Sequence, residues 1–286
     1  MAISTNEGGA LGRLTRRFRR TSQPAAPTPI SAETLAAAIE RHELQLHFQP
    51  LLSAASGHTV AIEALLRWEQ PAGTLAARQF FARAQAGGLL PRIDRELLVQ
   101  ACRFARELQR SGYDGLRLAV NVSVDELLPG SGGIGWIRQA LQDSGLRPQW
   151  LDIEINERET VGREQELAPV FSALTSIGLN ITLDDYWAVR GEDGAIMLPG
   201  VSAVKVDLWS NTGSELARRD LTTAVEVARE RGLQVYAKRV ETIFEEQFAA
   251  ELGCDALQGF ALGLPVGAAE LRRTLAPAAA LQPAGF

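Results

Sequence analysis

The strongest constraint on this chain is a repeated direction: short runs rich in Val, Ile and Leu, apolar first and polar last, recur between stretches with helical patterning. The runs are LRLAVNV (116–122), LDIEI (151–155), NITLDD (180–185), AVKVD (203–207), LQVYAK (233–238) and DALQG (255–259). Helices are expected at about 77–86, 91–112, 134–144, 164–178, 214–231, 243–252 and 267–275. Strands alternating with helices of this length form parallel βα units whose sheet is covered on both faces. Ahead of them lie LQLHFQPLL (44–52) and HTVAIEALLRW (58–68), joined only by SAASG. Parallel neighbours need a crossover of about a dozen residues or more, so this opening pair, if it pairs, is antiparallel. Six strands and the opening pair are enough to close a ring. The expected fold is therefore α/β, a TIM-like (β/α)8 barrel with an antiparallel first strand.

Length agrees with that reading. The 286 residues, 46% of them hydrophobic, can bury one large core, and such barrels take about 250 residues. Ser31 is placed to cap a helix through Leu35 and Ile39. It opens a barrel domain expected at 31–277, between a disordered, basic, Pro-containing tail (1–30) and a flexible C-terminal tail (278–286). In the first tail Arg13, Arg16, Arg17, Arg19 and Arg20 surround Leu11, Leu14 and Phe18. This is either a solvated charge run or a basic segment (11–20) whose apolar edge rests on an anionic membrane or a partner.

Other classes are excluded more simply. The net charge of −5 argues against a sequence-specific or general nucleic-acid binder. Cys102 and Cys254 are far apart, with no Cys or His at metal spacing, and read as buried, reduced thiols. No apolar run approaches the roughly 20 residues of a spanning helix, and no secretion signal opens the chain, so a cytoplasmic location is expected.

The direction of the strands also locates a site. Glu63, Asn121, Glu154, Asp184, Asp185, Lys205, Asp207 and Lys238 all fall at or near strand ends, on the C-terminal rim where barrel enzymes build their active sites. Any one of them reads as a helix cap or a solvated turn; five strands ending this way point to a shared mouth. Carboxylate and amide oxygens are the hard ligands preferred by Mg²⁺ or Ca²⁺. Adjacent Asp184 and Asp185 repel each other unless a cation lies close, and Lys205 supplies a cation that can also hold phosphate.

With these motifs in order, the chain resembles the EAL family of bacterial cyclic di-GMP phosphodiesterases, from about Leu44 to Leu275. The signature is Glu63-Ala64-Leu65 in Glu63-Ala64-Leu65-Leu66-Arg67-Trp68. The resemblance implies that Glu63, Asn121 (in Asn121-Val122-Ser123), Glu154 (in Glu154-Ile155-Asn156-Glu157) and Asp184 hold a divalent metal, and that Asp185 helps hold a second. Lys205 and Asp207 match a Lys-x-Asp motif whose Lys lies near the attacking water and phosphate. Gln49, Leu65, Arg67, Gln258 and Pro265 match positions lining the dinucleotide groove, beside Glu63, Asn121, Asp207 and Lys238. A homodimer is a further implication of the family.

Two departures change the expected function. The family's Glu-Gly-Val-Glu reads here Lys238-Arg239-Val240-Glu241, so a second-metal ligand and proposed general base is a lysine. A Lys among carboxylates stays protonated and cannot act as a base at neutral pH. Its ammonium is expected to take the second metal's place against Asp185, leaving at most one Mg²⁺ or Ca²⁺, with none required. The family's Phe-Gly-Thr-Gly-Tyr-Ser-Ser loop reads here Tyr186-Trp187-Ala188-Val189-Arg190-Gly191-Glu192-Asp193, which lacks the small residues of that turn. The paired Glu of an Ala-Glu-Glu-Thr-Gly helix end is replaced by Gln85-Ala86. No catalytic set is intact. The leading expectation is a degenerate member that binds cyclic di-GMP without hydrolysing it and acts through an unidentified regulatory protein. The alternatives are a nucleotide-independent interaction domain, using Trp187 or Trp209, and a weak or conditional phosphodiesterase.

Overall fold

The Ser31 hydroxyl accepts from the Thr34 N–H at 3.2 Å and opens α1 (Ala32–Glu40) as expected of an N-cap. A computed structural model describes residues 30–187, 194–208 and 215–275. The expected tails therefore lie almost wholly outside the described residues, as do Arg190 and Trp209.

β1 (Leu44–Ser53) and β2 (Thr59–Gln70) form the antiparallel pair, with Gln49 opposite Glu63 and Leu44 opposite Trp68. β3 (Gly73–Ala76) folds back on β2, and a single 3₁₀ turn leads into α2 (Phe81–Ala86) and α3 (Leu90–Arg110). β4 (Arg117–Asn121), the short α4 (Val124–Leu127), α5 (Gly135–Ser144), β5 (Leu151–Asn156), α6 (Glu164–Ile177) and β6 (Asn180–Asp184) follow. β7 (Val201–Asp207), α7 (Glu215–Glu230), β8 (Gln234–Lys238), α8 (Ile243–Glu251) and β9 (Ala256–Leu257) complete the alternation. β10 (Val266–Gly267) and α9 (Ala268–Thr274) end the described chain.

The strand order β1-β2-β4-β5-β6-β7-β8-β9 returns to β1 and closes a ring. β1 is antiparallel to both neighbours and the other contacts in the ring are parallel. The expected fold class stands.

The sequence reading misses β3 and β10 and overextends the last run, since DALQG yields only Ala256–Leu257 as strand. It also makes one helix of 77–86, where the first turn is 3₁₀. Elements of two to four residues carry too little periodicity to be seen; pairing to an existing strand creates them.

Alternation along each strand separates two environments. Outward side chains such as Ile62, Leu118, Ile153, Ile181, Val204 and Val235 are fully buried beneath the helices. Inside the ring, Leu51, Ala61, Ala203, Tyr236 and Ala256 cluster at the lower end. Below them Arg117 pairs with Asp152 at 2.6 Å and donates to the Tyr236 hydroxyl at 3.1 Å. The polar groups of this floor are paired with one another, and the charged strand ends gather at the opposite, C-terminal end.

Candidate functional site

Inward positions one layer higher carry charge. The Glu63 carboxylate accepts from Asn121 Nδ2 at 2.7 Å, Lys205 Nζ at 3.0 Å and Gln258 Nε2 at 2.8 Å. Burial opposes its ionisation, but the Lys205 ammonium and these donated bonds outweigh it and hold Glu63 down to about 2. Lys205 Nζ also reaches Glu154 Oε1 at 2.5 Å, and its side chain is only 3% exposed. One ammonium thus serves two carboxylates. Burial is the largest influence on Lys205 and favours the neutral form, yet Glu154 and Glu63 overcome it and raise its affinity for the proton. Glu154 is pushed the other way, upward, by burial and by the Glu63 charge. Its second oxygen, Oε2, is buried without a hydrogen-bond partner among the described residues.

Nearer the surface, Lys238 Nζ lies 2.7 Å from Asp184 Oδ1 and 2.5 Å from Asp185 Oδ1. The adjacent carboxylates therefore share the ammonium of the residue that departs from the family pattern. Burial again opposes the charge on Lys238, and the two aspartates overcome it. Asp185 is held below the usual carboxylate range: its partial burial is outweighed by Lys238 and by Asn156 Nδ2, which donates at 2.8 Å.

Two site residues adopt left-handed backbone, Asp185 at φ 55° and Arg239 at φ 62°. For non-glycine residues this conformation costs on the order of 1–3 kcal/mol each and persists only where surroundings impose it. The impositions are visible: Tyr186 N–H donates to Lys205 O at 2.9 Å, and Val240 N–H donates to Gln258 O at 3.0 Å. Arg239 Nε lies 3.3 Å from Asp207 Oδ2. Gly259 is required by the same crossing, because a Cβ there would sit 2.0 Å from Val240 O.

The expected groove residues divide into two groups. Leu65, Arg67, Asn121 and Glu154 line an open cleft of about 630 Å³ beside the mouth, with Phe81, Asp94 and Trp136 in its walls. Burial and nearby Arg78 outweigh the attraction of Glu63 and depress the Arg67 pKa. Gln49 and Gln258 instead are buried and satisfied within the protein, Gln49 Nε2 donating to Gly263 O at 2.9 Å. Pro265 lies beside β10, where its carbonyl is 3.4 Å from His47 Nδ1.

Asp94 and Asn156 escape the sequence reading. Asp94 looks like an ordinary polar residue of a helix. Burial first, and then the Glu126 charge, push its carboxyl up to about 7, and it has no hydrogen-bond or ion-pair partner among the described residues. Of the altered loop after Asp185, Tyr186 is buried and Trp187 donates its N–H to Glu157 Oε2 at 2.8 Å; residues 188–193 lie outside the described residues.

The donor set is a poor fit to a divalent ion as it is arranged. Glu63 already accepts from three donors, Asp184 and Asp185 share the one ammonium of Lys238, and Glu154 Oε2 is the buried carboxylate oxygen without a hydrogen-bond partner among the described residues. Among the described residues no three His, Cys, Asp or Glu side chains converge to hold a metal.

A closed barrel, parallel except for β1, with acidic strand ends and a cleft at its mouth defines a class of α/β-barrel domains with a polar ligand site on the rim. A model of the EAL domain matches residues 32–265, and the chain belongs to that family. It is 30% identical over 247 residues to the cyclic di-GMP phosphodiesterase NbdA of Pseudomonas aeruginosa, covering 85% of this chain and 31% of that protein. Identity is 31% over 245 residues to the bifunctional diguanylate cyclase/cyclic di-GMP phosphodiesterase MucR of the same organism, covering 84% of this chain and 35% of that one. The chain thus spans about a third of the length of these relatives. Among solved structures, the MucR phosphodiesterase in complex with cyclic di-GMP superposes with a TM-score of 0.78 at 30% identity, covering 84% of this chain and 98% of that one. An EAL-domain protein of Listeria monocytogenes, at 18% identity and a TM-score of 0.72, shares the fold; 86% of this chain and 98% of that one align. No helix among the described residues is long and apolar enough to cross a membrane.

Proposed function

We propose that this chain is a degenerate EAL domain that binds cyclic di-GMP without hydrolysing it, needs no divalent metal to do so, and passes the signal to a protein partner. The observation that carries the reading is the Lys238 ammonium, 2.7 Å from Asp184 and 2.5 Å from Asp185. Metal-assisted phosphodiester hydrolysis needs a cation that makes a bound water nucleophilic and stabilises the charge on phosphate. An ammonium supplies fixed charge but no exchangeable water, and it displaces the carboxylate expected to act as base.

Ligand binding draws on what remains. Arg67 offers a planar guanidinium to phosphate beside the cleft. The unpartnered Asp94 carboxylate is suited to the N1–H and N2–H donors of a guanine edge, and Trp136 and Phe81 offer apolar ring surface near it. The 30%-identical MucR domain, solved with cyclic di-GMP, supports a dinucleotide as the ligand class.

Calorimetric titration with cyclic di-GMP in EDTA, then in Mg²⁺ or Ca²⁺, tests the proposal. Low-micromolar or tighter binding in EDTA, with no linear dinucleotide formed, is the expected result. Turnover at about 1 s⁻¹ or faster, an ordinary enzyme rate, overturns it. Absence of binding under every condition favours a nucleotide-independent interaction domain, a reading in keeping with the internally satisfied Gln49, Gln258 and Glu63.

A further inference from the structure

Three of the eight large apolar side chains most exposed among the described residues belong to the two connections that follow β8 and β9 on the rim: Ile243 (57%), Phe244 (77%) and Phe260 (61%). The backbone brings their two segments together. Val240 N–H donates to Gln258 O and Ala261 N–H donates to Val240 O at 3.1 Å, which ties the β8–α8 connection to the one after β9. Leu262 and Gly263 then both donate to Gly259 O, and the chain turns from the rim down the barrel flank, where Gly263 O meets Gln49 Nε2. Phe244 and Ile243 open α8 on the near side, within a capping box made by Thr242 and Glu245. Exposed aromatic residues gathered in this way mark an interaction surface.

The surface has a sign. Glu241, Glu245 and Glu246 flank Ile243 and Phe244 in sequence, and the nearby cations are engaged, Arg239 by Asp207 and Arg218 stacked over the Phe248 ring at 5.3 Å. An apolar patch with an acidic border selects an apolar partner with a basic border. A second copy of the same patch would set glutamates against glutamates, and an anionic lipid surface would be repelled. The chain itself contains a matching sequence. LGRLTRRFRR, residues 11–20, carries Leu11, Leu14 and Phe18 at spacings of three and four together with five arginines and no acidic residue. Nine residues, and so ten Cα-to-Cα steps, separate Arg20 from Ile30. Fully extended they span about 35 Å, roughly twice the radius of gyration of a domain this size.

We infer that residues 11–20 dock in cis on the rim patch formed by Ile243, Phe244 and Phe260. The apolar edge covers the exposed rings, and the arginines face Glu241, Glu245 and Glu246. The assignment is independent of nucleotide binding.

The test uses the full chain with a nitroxide attached at Thr15→Cys; Cys102 and Cys254 are both buried, so the new thiol is the accessible one among the described cysteines. Paramagnetic broadening of the amide signals of Ile243, Phe244 and Phe260 is expected. It should vanish in Leu14→Ser/Phe18→Ser and in Phe244→Ser/Phe260→Ser, each of which changes only surface or tail positions. Broadening confined to other faces, or none, overturns the inference. Broadening that requires the nitroxide and the isotope label to be on separate molecules identifies a second copy, and broadening seen only with phosphatidylserine vesicles identifies a membrane; both overturn it.

Discussion

Removing the ammonium of Lys238 should expose what it does for the fold. Lys238→Met keeps the length of the stem and leaves Asp184 and Asp185 adjacent, partly buried and without their shared cation. A unit charge pair at 4 Å is worth about 4 kcal/mol at an effective dielectric of 20. Deleting one partner of a buried pair costs about 3–5 kcal/mol, whereas exposed pairs contribute about 0–1. Lys238 is 18% exposed but Asp185 is 36% exposed, which places this cluster between those limits. A loss of about 2 kcal/mol at pH 7 is expected, or roughly 4–8 °C in Tm for a domain this size. The pH dependence has a definite sign. Asp185 has a depressed folded pKa, so its contribution is present above the ordinary carboxylate value of 3.8 and is lost as pH falls through the lower folded value. Lys238 has a raised folded pKa, so its contribution is present below 10.5 and is lost as pH rises through the higher folded value. The gap between wild type and variant should therefore be full between the ordinary values of 3.8 and 10.5 and close as acid protonates Asp185. Thermal melts at pH 7 and pH 3 measure it. The variant should also gain a response to divalent ions: at about 10 mM Mg²⁺ and a millimolar Kd, stabilisation of about 1.4 kcal/mol follows from mass action. Equal melting temperatures at pH 7, or an equal metal response in wild type, would refute the reasoning.

Further outcomes follow from substitutions at Asp94, Gly259 and Lys238. Asp94→Ala should weaken cyclic di-GMP binding about 10–100-fold in calorimetry, the scale of a hydrogen bond to a charged group, while leaving the fold intact. Because Asp94 is pushed up to about 7, wild-type affinity should rise from pH 6 to pH 8 as the carboxylate forms, and Asp94→Asn should flatten that profile. The same raised value has the opposite sign for folding: the Asp94 contribution falls as pH climbs from 3.8 towards 7, so Asp94→Asn should remove that part of the slope in denaturant titrations. Gly259→Ala places a Cβ 2.0 Å from Val240 O and should cost about 1–3 kcal/mol or more in urea unfolding; an unchanged midpoint would contradict the close crossing. Lys238→Glu by itself should not produce hydrolysis, because the loop after Asp185 still lacks the small residues of the family pattern.

Much of this molecule is written in local order. The apolar-to-polar direction of LAVN, LDIEI, LDD, VKVD and YAK requires parallel strands with charged ends on one rim, because side chains alternate at period two and the crossover helices bury the outer face. The five-residue SAASG link makes β1 the reversed strand. The substitution at Lys238 is equally legible, since a cation in place of a carboxylate changes local charge whatever the detailed geometry. Distances across the ring depend on closure. Only the tertiary structure places Lys205 between Glu63 and Glu154, strands apart in sequence, and leaves Glu154 Oε2 without a hydrogen-bond partner among the described residues. Only burial against Glu126 distinguishes Asp94 from any other helical aspartate, and only the backbone crossing at Gly259 turns Gln258 inward to Glu63. Periodicity records which face a residue occupies; the partners it meets there are set by how the ring closes, through contacts more than a hundred residues apart, as between Glu63 and Lys205 or Gln258.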